Sequence, residues 1–175
     1  NNNKLFKSKS GDGKWRHVMY DSDFGFERWG ANPFNIGSYE TYNMLDHAIG
    51  ESNVFNNPIW STAVFTTFLE NMDFRNKFIN TYCDRLNTTY STENTLYFMD
   101  SLRTIIEPYI SDHINRYGPD IYDLFTPNTI GEYNSVYQGM ENFANYRPNN
   151  ARNEMVEMFG LSGYSNTISL YMLSL

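Results

Sequence analysis

Cysteine is almost absent from this chain: Cys83 stands alone among 175 residues. One cysteine makes no intrachain disulfide, and no Cys/His spacing around it fits zinc. Its helical context reads as a half-buried packing position. Long apolar runs are missing as well. None approaches the roughly 20 residues that a membrane-crossing helix needs, and no signal peptide is evident. Positive charge is scarce: 13 Lys and Arg face 20 Asp and Glu, a formal net charge of −7. Nucleic-acid binding requires a basic surface to neutralise phosphates, so no nucleic-acid partner is expected. Carbohydrate binding by exposed aromatics such as Trp15, Trp29 and Trp60 rests on composition alone, and packing explains such residues as readily.

What is present is enough apolar material for one folded domain. Hydrophobic residues make up 41% and aromatics 17%, so a core can form. The stretch Trp15-Arg16-His17-Val18-Met19-Tyr20-Asp21-Ser22-Asp23-Phe24-Gly25-Phe26 concentrates the chemistry. A β-prone segment ends in two aspartates spaced by one residue, followed by an aromatic and a glycine. A strand provides a stiff base, the carboxylates supply hard oxygen donors for a divalent metal, and glycine lets the chain turn away. The bland alternative is a solvated turn at a strand end.

Residues 4–7 and 14–20 read as two short strands joined at Ser10-Gly11-Asp12-Gly13, a β-hairpin. Asp12 in that turn needs no chemistry. Residues 27–57 read as a long loop with one helical turn near 40–48. Helical patterning follows over 58–160. Asn57 is expected to cap a first helix at Pro58. A second follows Asp73, with Phe74, Phe78, Ile79, Tyr82 and Leu86 on one face. A third starts near Ser91-Thr92, carries Leu96, Met99, Leu102, Ile106, Ile110 and Ile114, and is expected to kink at Pro108 and stop at Gly118-Pro119. Thr129-Ile130-Gly131-Glu132 has capping-box spacing and opens a fourth helix through Tyr146. A fifth is expected to start at Pro148 and end at Gly160. Residues 164–175 read as a tail or the start of a further module. The expected fold class is α+β, mostly α: an N-terminal hairpin, then a bundle of about five helices. Arg147 and Arg152 suggest a phosphate site at first sight, but a helix start with solvent or acidic partners accounts for them. His47 and His113 read as structural.

Several segments together carry a resemblance. They are Lys14-Trp15-Arg16 with Tyr20 through Phe26, and Phe74-Arg75 with Phe78, Tyr82 and Leu86-Asn87-Thr88. They continue with Ile106-Glu107-Pro108-Tyr109-Ile110, His113 and Arg116-Tyr117, then Phe143-Ala144-Asn145-Tyr146-Arg147-Pro148, Arg152 and Phe159-Gly160-Leu161-Ser162-Gly163. In this order they resemble the spore-coat protein H (CotH) kinase family over residues 1–163. The resemblance implies a protein-kinase-like C-lobe that uses ATP with Mg²⁺ or Mn²⁺ to phosphorylate protein hydroxyls. Asp21 or Asp23 would match the metal-binding aspartate. One of Asn1, Asn2 and Asn3 would match a metal-binding asparagine at the cofactor site. The chain starts after the family's expected catalytic aspartate and lacks its nucleotide-covering loop and phosphate-pairing lysine. It therefore reads as a C-lobe fragment with no catalytic residue of its own and little activity by itself. The partner would be a protein substrate. The competing reading is a non-catalytic structural or protein-binding module of a secreted or cell-surface protein.

Overall fold

The computed structural model describes residues 4–18, 26, 40–50, 58–118 and 127–162. Two strands, β1 (Lys4–Lys7) and β2 (Trp15–Val18), pair antiparallel, with Lys4 opposite Val18 and Lys7 opposite Trp15. Gly13 takes φ +67°, a left-handed conformation that suits glycine. Asp12 accepts from the Lys14 amide at 3.1 Å and holds Arg16 bidentately at 2.7 and 3.0 Å. Arg16 first, then the Lys14 amide, draw the Asp12 carboxyl below its usual range. Asp12 is thus a turn residue, as the sequence suggests. The expected second strand spans residues 14–20; β2 covers Trp15–Val18 of it, and 19–25 lie outside the described residues.

Among the described residues five helices follow: α1 (Met44–Ile49), α2 (Ile59–Leu69), α3 (Met72–Asn87), α4 (Thr92–Tyr117) and α5 (Ile130–Phe159). The mostly helical class with a leading hairpin is therefore as the sequence implies. Local chemistry sets most of the ends. Asn43, Asn71, Ser91 and Thr129 accept amide hydrogens with their side chains at the starts of α1, α3, α4 and α5. Glu132 reaches back to the residue before the cap, accepting from the Asn128 amide at 2.6 Å, whereas in the standard capping box the cap's own amide is the donor. Gly160 ends α5 at φ +60°. Pro58 itself occupies the cap position of α2, without a side-chain bond, one residue later than the expected Asn57 cap.

The main departure is that the expected fourth and fifth helices are one. Pro148 lies inside the 30-residue α5 and is buried. A proline within a helix deprives the carbonyl one turn earlier of its donor. Here that carbonyl belongs to Ala144, and it accepts instead from the Thr92 hydroxyl of α4 at 3.0 Å. The lost bond is replaced from a neighbouring helix, so the helix continues. Pro108 likewise lies within α4. Thr104, one turn before it, is exposed, and water can satisfy its carbonyl.

Helix α5 packs on α1, α3 and α4, and α2 bridges α1 and α3. Its buried residues Tyr137, Ala144, Pro148, Ala151 and Met155 fall at spacings of seven, four, three and four, one continuous stripe. One core joins Leu45, Ile79, Cys83 and Met155; the other joins Met99, Tyr137 and Ala144. Cys83 is fully buried rather than half-buried. The expected α4 stripe is split. Met99 is buried, but Leu102 and Ile106 face outward, because α5 meets α4 along Met99, Asp100 and Arg103. There the Tyr137 hydroxyl donates to Asp100 Oδ1 at 2.7 Å, and the Arg103 guanidinium lies 4.2 Å from the Tyr137 ring centroid.

Thr92→Val should destabilise the protein by about 1–3 kcal/mol in urea denaturation, since it leaves the buried Ala144 carbonyl without a donor. Thr92→Ser should retain most of the stability. Burial, and then the bond to Asp100, push the Tyr137 phenol up to about 12. The fold thus favours the protonated phenol. That contribution is intact below pH 10.0, the ordinary value, and is lost as pH rises through about 12. The phenolate absorbance difference between wild type and Tyr137→Phe should titrate in that range.

Candidate functional site

Two arginines of α5 organise the helical body. Arg147 and Glu154 stand two turns apart on one side of α5, with side chains only 12% and 8% exposed. Arg147 Nη2 lies 2.8 Å from Glu154 Oε2, and Nη1 bonds the other carboxylate oxygen. The same Nη1 donates to the backbone carbonyls of Tyr42 at 2.9 Å and Glu40 at 3.3 Å. Asn150 adds a second donor to the Glu40 carbonyl at 2.8 Å. The segment ahead of α1 is thereby tied to α5. Burial pushes the Glu154 carboxyl up, and Arg147 only partly offsets it. Burial also raises the Tyr82 phenol, again opposed by Arg147.

Arg152 works at the other helix. It donates to the Leu86 carbonyl at 3.1 Å and to Asn87 Oδ1 at 2.8 Å, closing the C-terminal end of α3, and to Asn149 Oδ1 at 2.9 Å. The acidic partner expected for this pair of arginines is present at Arg147. The expected helix start is not, because both residues lie well inside α5. His47 packs beside Tyr42, and the His113 ring lies 5.1 Å from that of Tyr117.

Between α3 and α5 lies a cavity of about 450 Å³. Its wall includes Phe78, Tyr82 and Leu86 from α3 and Phe143, Pro148 and Ala151 from α5. Phe26 closes one side, its ring centroid 5.3 Å from that of Phe143. Phe26 has φ +58°, a left-handed conformation that costs a bulky residue about 1–3 kcal/mol. It stands three positions past Asp23, so the end of the aspartate-bearing segment rests against the helical body.

Asp21, Asp23, Asn1, Asn2 and Asn3 lie outside the described residues. Among the described residues, no group of three or more His, Cys, Asp or Glu side chains could hold a metal ion. Among them, too, no helix is long and apolar enough to cross a membrane. Sequence reasoning expected acidic partners for the arginines without naming Glu154, and it missed the cavity. The pair left a trace, opposite charges seven residues apart on one helical side. The cavity left none, because it is formed by residues up to 125 positions apart, Phe26 and Ala151.

Arg147→Ala should cost about 3–5 kcal/mol by chemical denaturation, because it strands a buried carboxylate. The double replacement Arg147→Met with Glu154→Leu should recover most of that loss, since no charge then remains without its partner.

A comparison with curated proteins and with solved structures yields no match. A family model described as CotH kinase protein matches residues 1–151. The match takes in the aspartate run, α1 to α4 and most of α5, and ends just before Arg152. With most of its length matched in this way, the chain belongs to the CotH kinase family.

Proposed function

We propose that these residues form the C-terminal portion of an atypical protein kinase, which in its complete form transfers a phosphoryl group from ATP to protein hydroxyls. The family match over residues 1–151 carries this reading. Asp21 or Asp23 would hold Mg²⁺ or Mn²⁺, with a side-chain carbonyl from Asn1, Asn2 or Asn3 as a further donor. Carboxylate and amide oxygens are the hard donors these ions take. The bound ion would offset phosphate charge as the phosphoryl group moves. The contact of Phe26 with Phe143 supports the assignment of α5 as the platform on which the aspartate segment rests. The catalytic aspartate and the phosphate-pairing lysine would come from chain outside these residues. Phosphoryl transfer needs all these parts positioned together.

A second reading, a non-catalytic protein-binding module, is favoured by the outward face of α4. Phe98, Leu102, Ile105 and Tyr109 are 60–68% exposed there at spacings of four, three and four. Such a seam is the pattern by which helices meet partners.

Isothermal titration with Mn²⁺ and ATP separates the two. Metal-dependent binding by the wild-type chain, abolished in an Asp21→Ala, Asp23→Ala variant, is the result expected of the kinase reading; the single variants identify the ligand. Absence of heat from the wild-type chain would rule out a preformed half-site here and favour the protein-binding module.

A further inference from the structure

The cavity between α3 and α5 has the size and chemistry of a ligand site. Its volume of about 450 Å³ falls within the roughly 300–1,000 Å³ typical of small-molecule pockets. Aromatic and aliphatic side chains make its wall, which suits a flat or chain-like apolar body. The two cations that line it differ in state. Arg147 is consumed by Glu154 and by two backbone carbonyls. Arg85 is exposed and bonds only the Thr89 hydroxyl, at 3.0 Å, with no carboxylate paired to it among the described residues. A guanidinium without a counter-charge at the edge of an apolar cavity is a ready acceptor for an anionic group. Thr81 and Thr95, also in the lining, add hydroxyls.

We infer that this cavity binds a small amphipathic anion, its apolar body between Phe78 and Phe143 and its acidic group on Arg85. The site is separate from the Asp21/Asp23 segment in its chemistry, needing neither metal nor nucleotide. It touches that segment through Phe26, which forms part of the cavity wall.

The test uses the aromatic sulfonate 1-anilinonaphthalene-8-sulfonate and its uncharged parent, N-phenyl-1-naphthylamine, titrated by fluorescence into the full chain. Saturable binding of one molecule of each is expected. Arg85→Gln should weaken the sulfonate about tenfold, the scale of a charge-assisted contact, and leave the neutral parent within about twofold. Thr81→Trp, at an exposed position on the cavity edge, should weaken both by filling the space. Circular dichroism melting identifies any variant that has lost its fold. Binding of several molecules with no response to Thr81→Trp would mean adsorption on the outward apolar face of α4, and would overturn the proposal. Equal effects of Arg85→Gln on both probes would overturn the assignment of an anionic ligand.

Discussion

A proline in a buried helix leaves one carbonyl without its donor, and the helical body of this protein depends on how that deficit is met. At Pro148 the Thr92 hydroxyl of α4 supplies the missing bond to Ala144. The consequence is larger than one hydrogen bond. It keeps α5 in one piece over 30 residues and sets the start of α4 against its middle. With α5 continuous, its buried stripe reaches α4 through Tyr137 and Ala144 and the α1–α3 core through Met155. Two shorter helices with an independent joint could not align both.

The same helix carries the charges that hold its surroundings. Burying a cation and an anion together is expensive, and it is tolerated where each polar atom finds a partner. Arg147 meets that condition by serving Glu154 and the carbonyls of Glu40 and Tyr42 at once. Arg152 uses Nη1 and Nη2 on neutral oxygens instead, those of Asn149, Leu86 and Asn87, and so closes the end of α3. Arginines that suggest phosphate binding when read in one dimension are thus structural ties in three. Arg85, one helix away, lines the cavity with no carboxylate paired to it among the described residues.

The apolar surface divides in a related way. Residues that face α5 are buried, whereas the next stripe round α4 and much of α2 are exposed, with Ile59 at 87% and Trp60 at 79%. An exposed apolar area of this kind is a common feature of surfaces that other protein covers. In the kinase reading such cover would come from the rest of the enzyme, and in the module reading from a partner.

The helix start near Ser91-Thr92, the cap at Thr129, the stop at Gly160, the turn at Asp12-Gly13 and the helix after Asp73 were legible in the sequence, because each is settled by contacts within a few positions. Family membership was legible for a similar reason, since it rests on residue types in a fixed order. The Asp21/Asp23 segment is known from the sequence alone, as a motif without a described geometry. Other features escaped. Pro148 reads as a helix start until Thr92, 56 positions earlier, is seen to bond the Ala144 carbonyl. Leu102 and Ile106 read as core until α5 is seen to lie along the neighbouring stripe. The cavity exists only once Phe26, α3 and α5 are brought together, and the Arg147–Glu154 pair only because Pro148 lies inside one continuous α5. The sequence by itself determined the local elements and the family, through capping chemistry and short-range periodicity. Only the tertiary structure decided which helices joined, which faces were buried and, among the described residues, which of the two arginines at the cavity is paired with a carboxylate, because burial and pairing depend on neighbours distant along the chain.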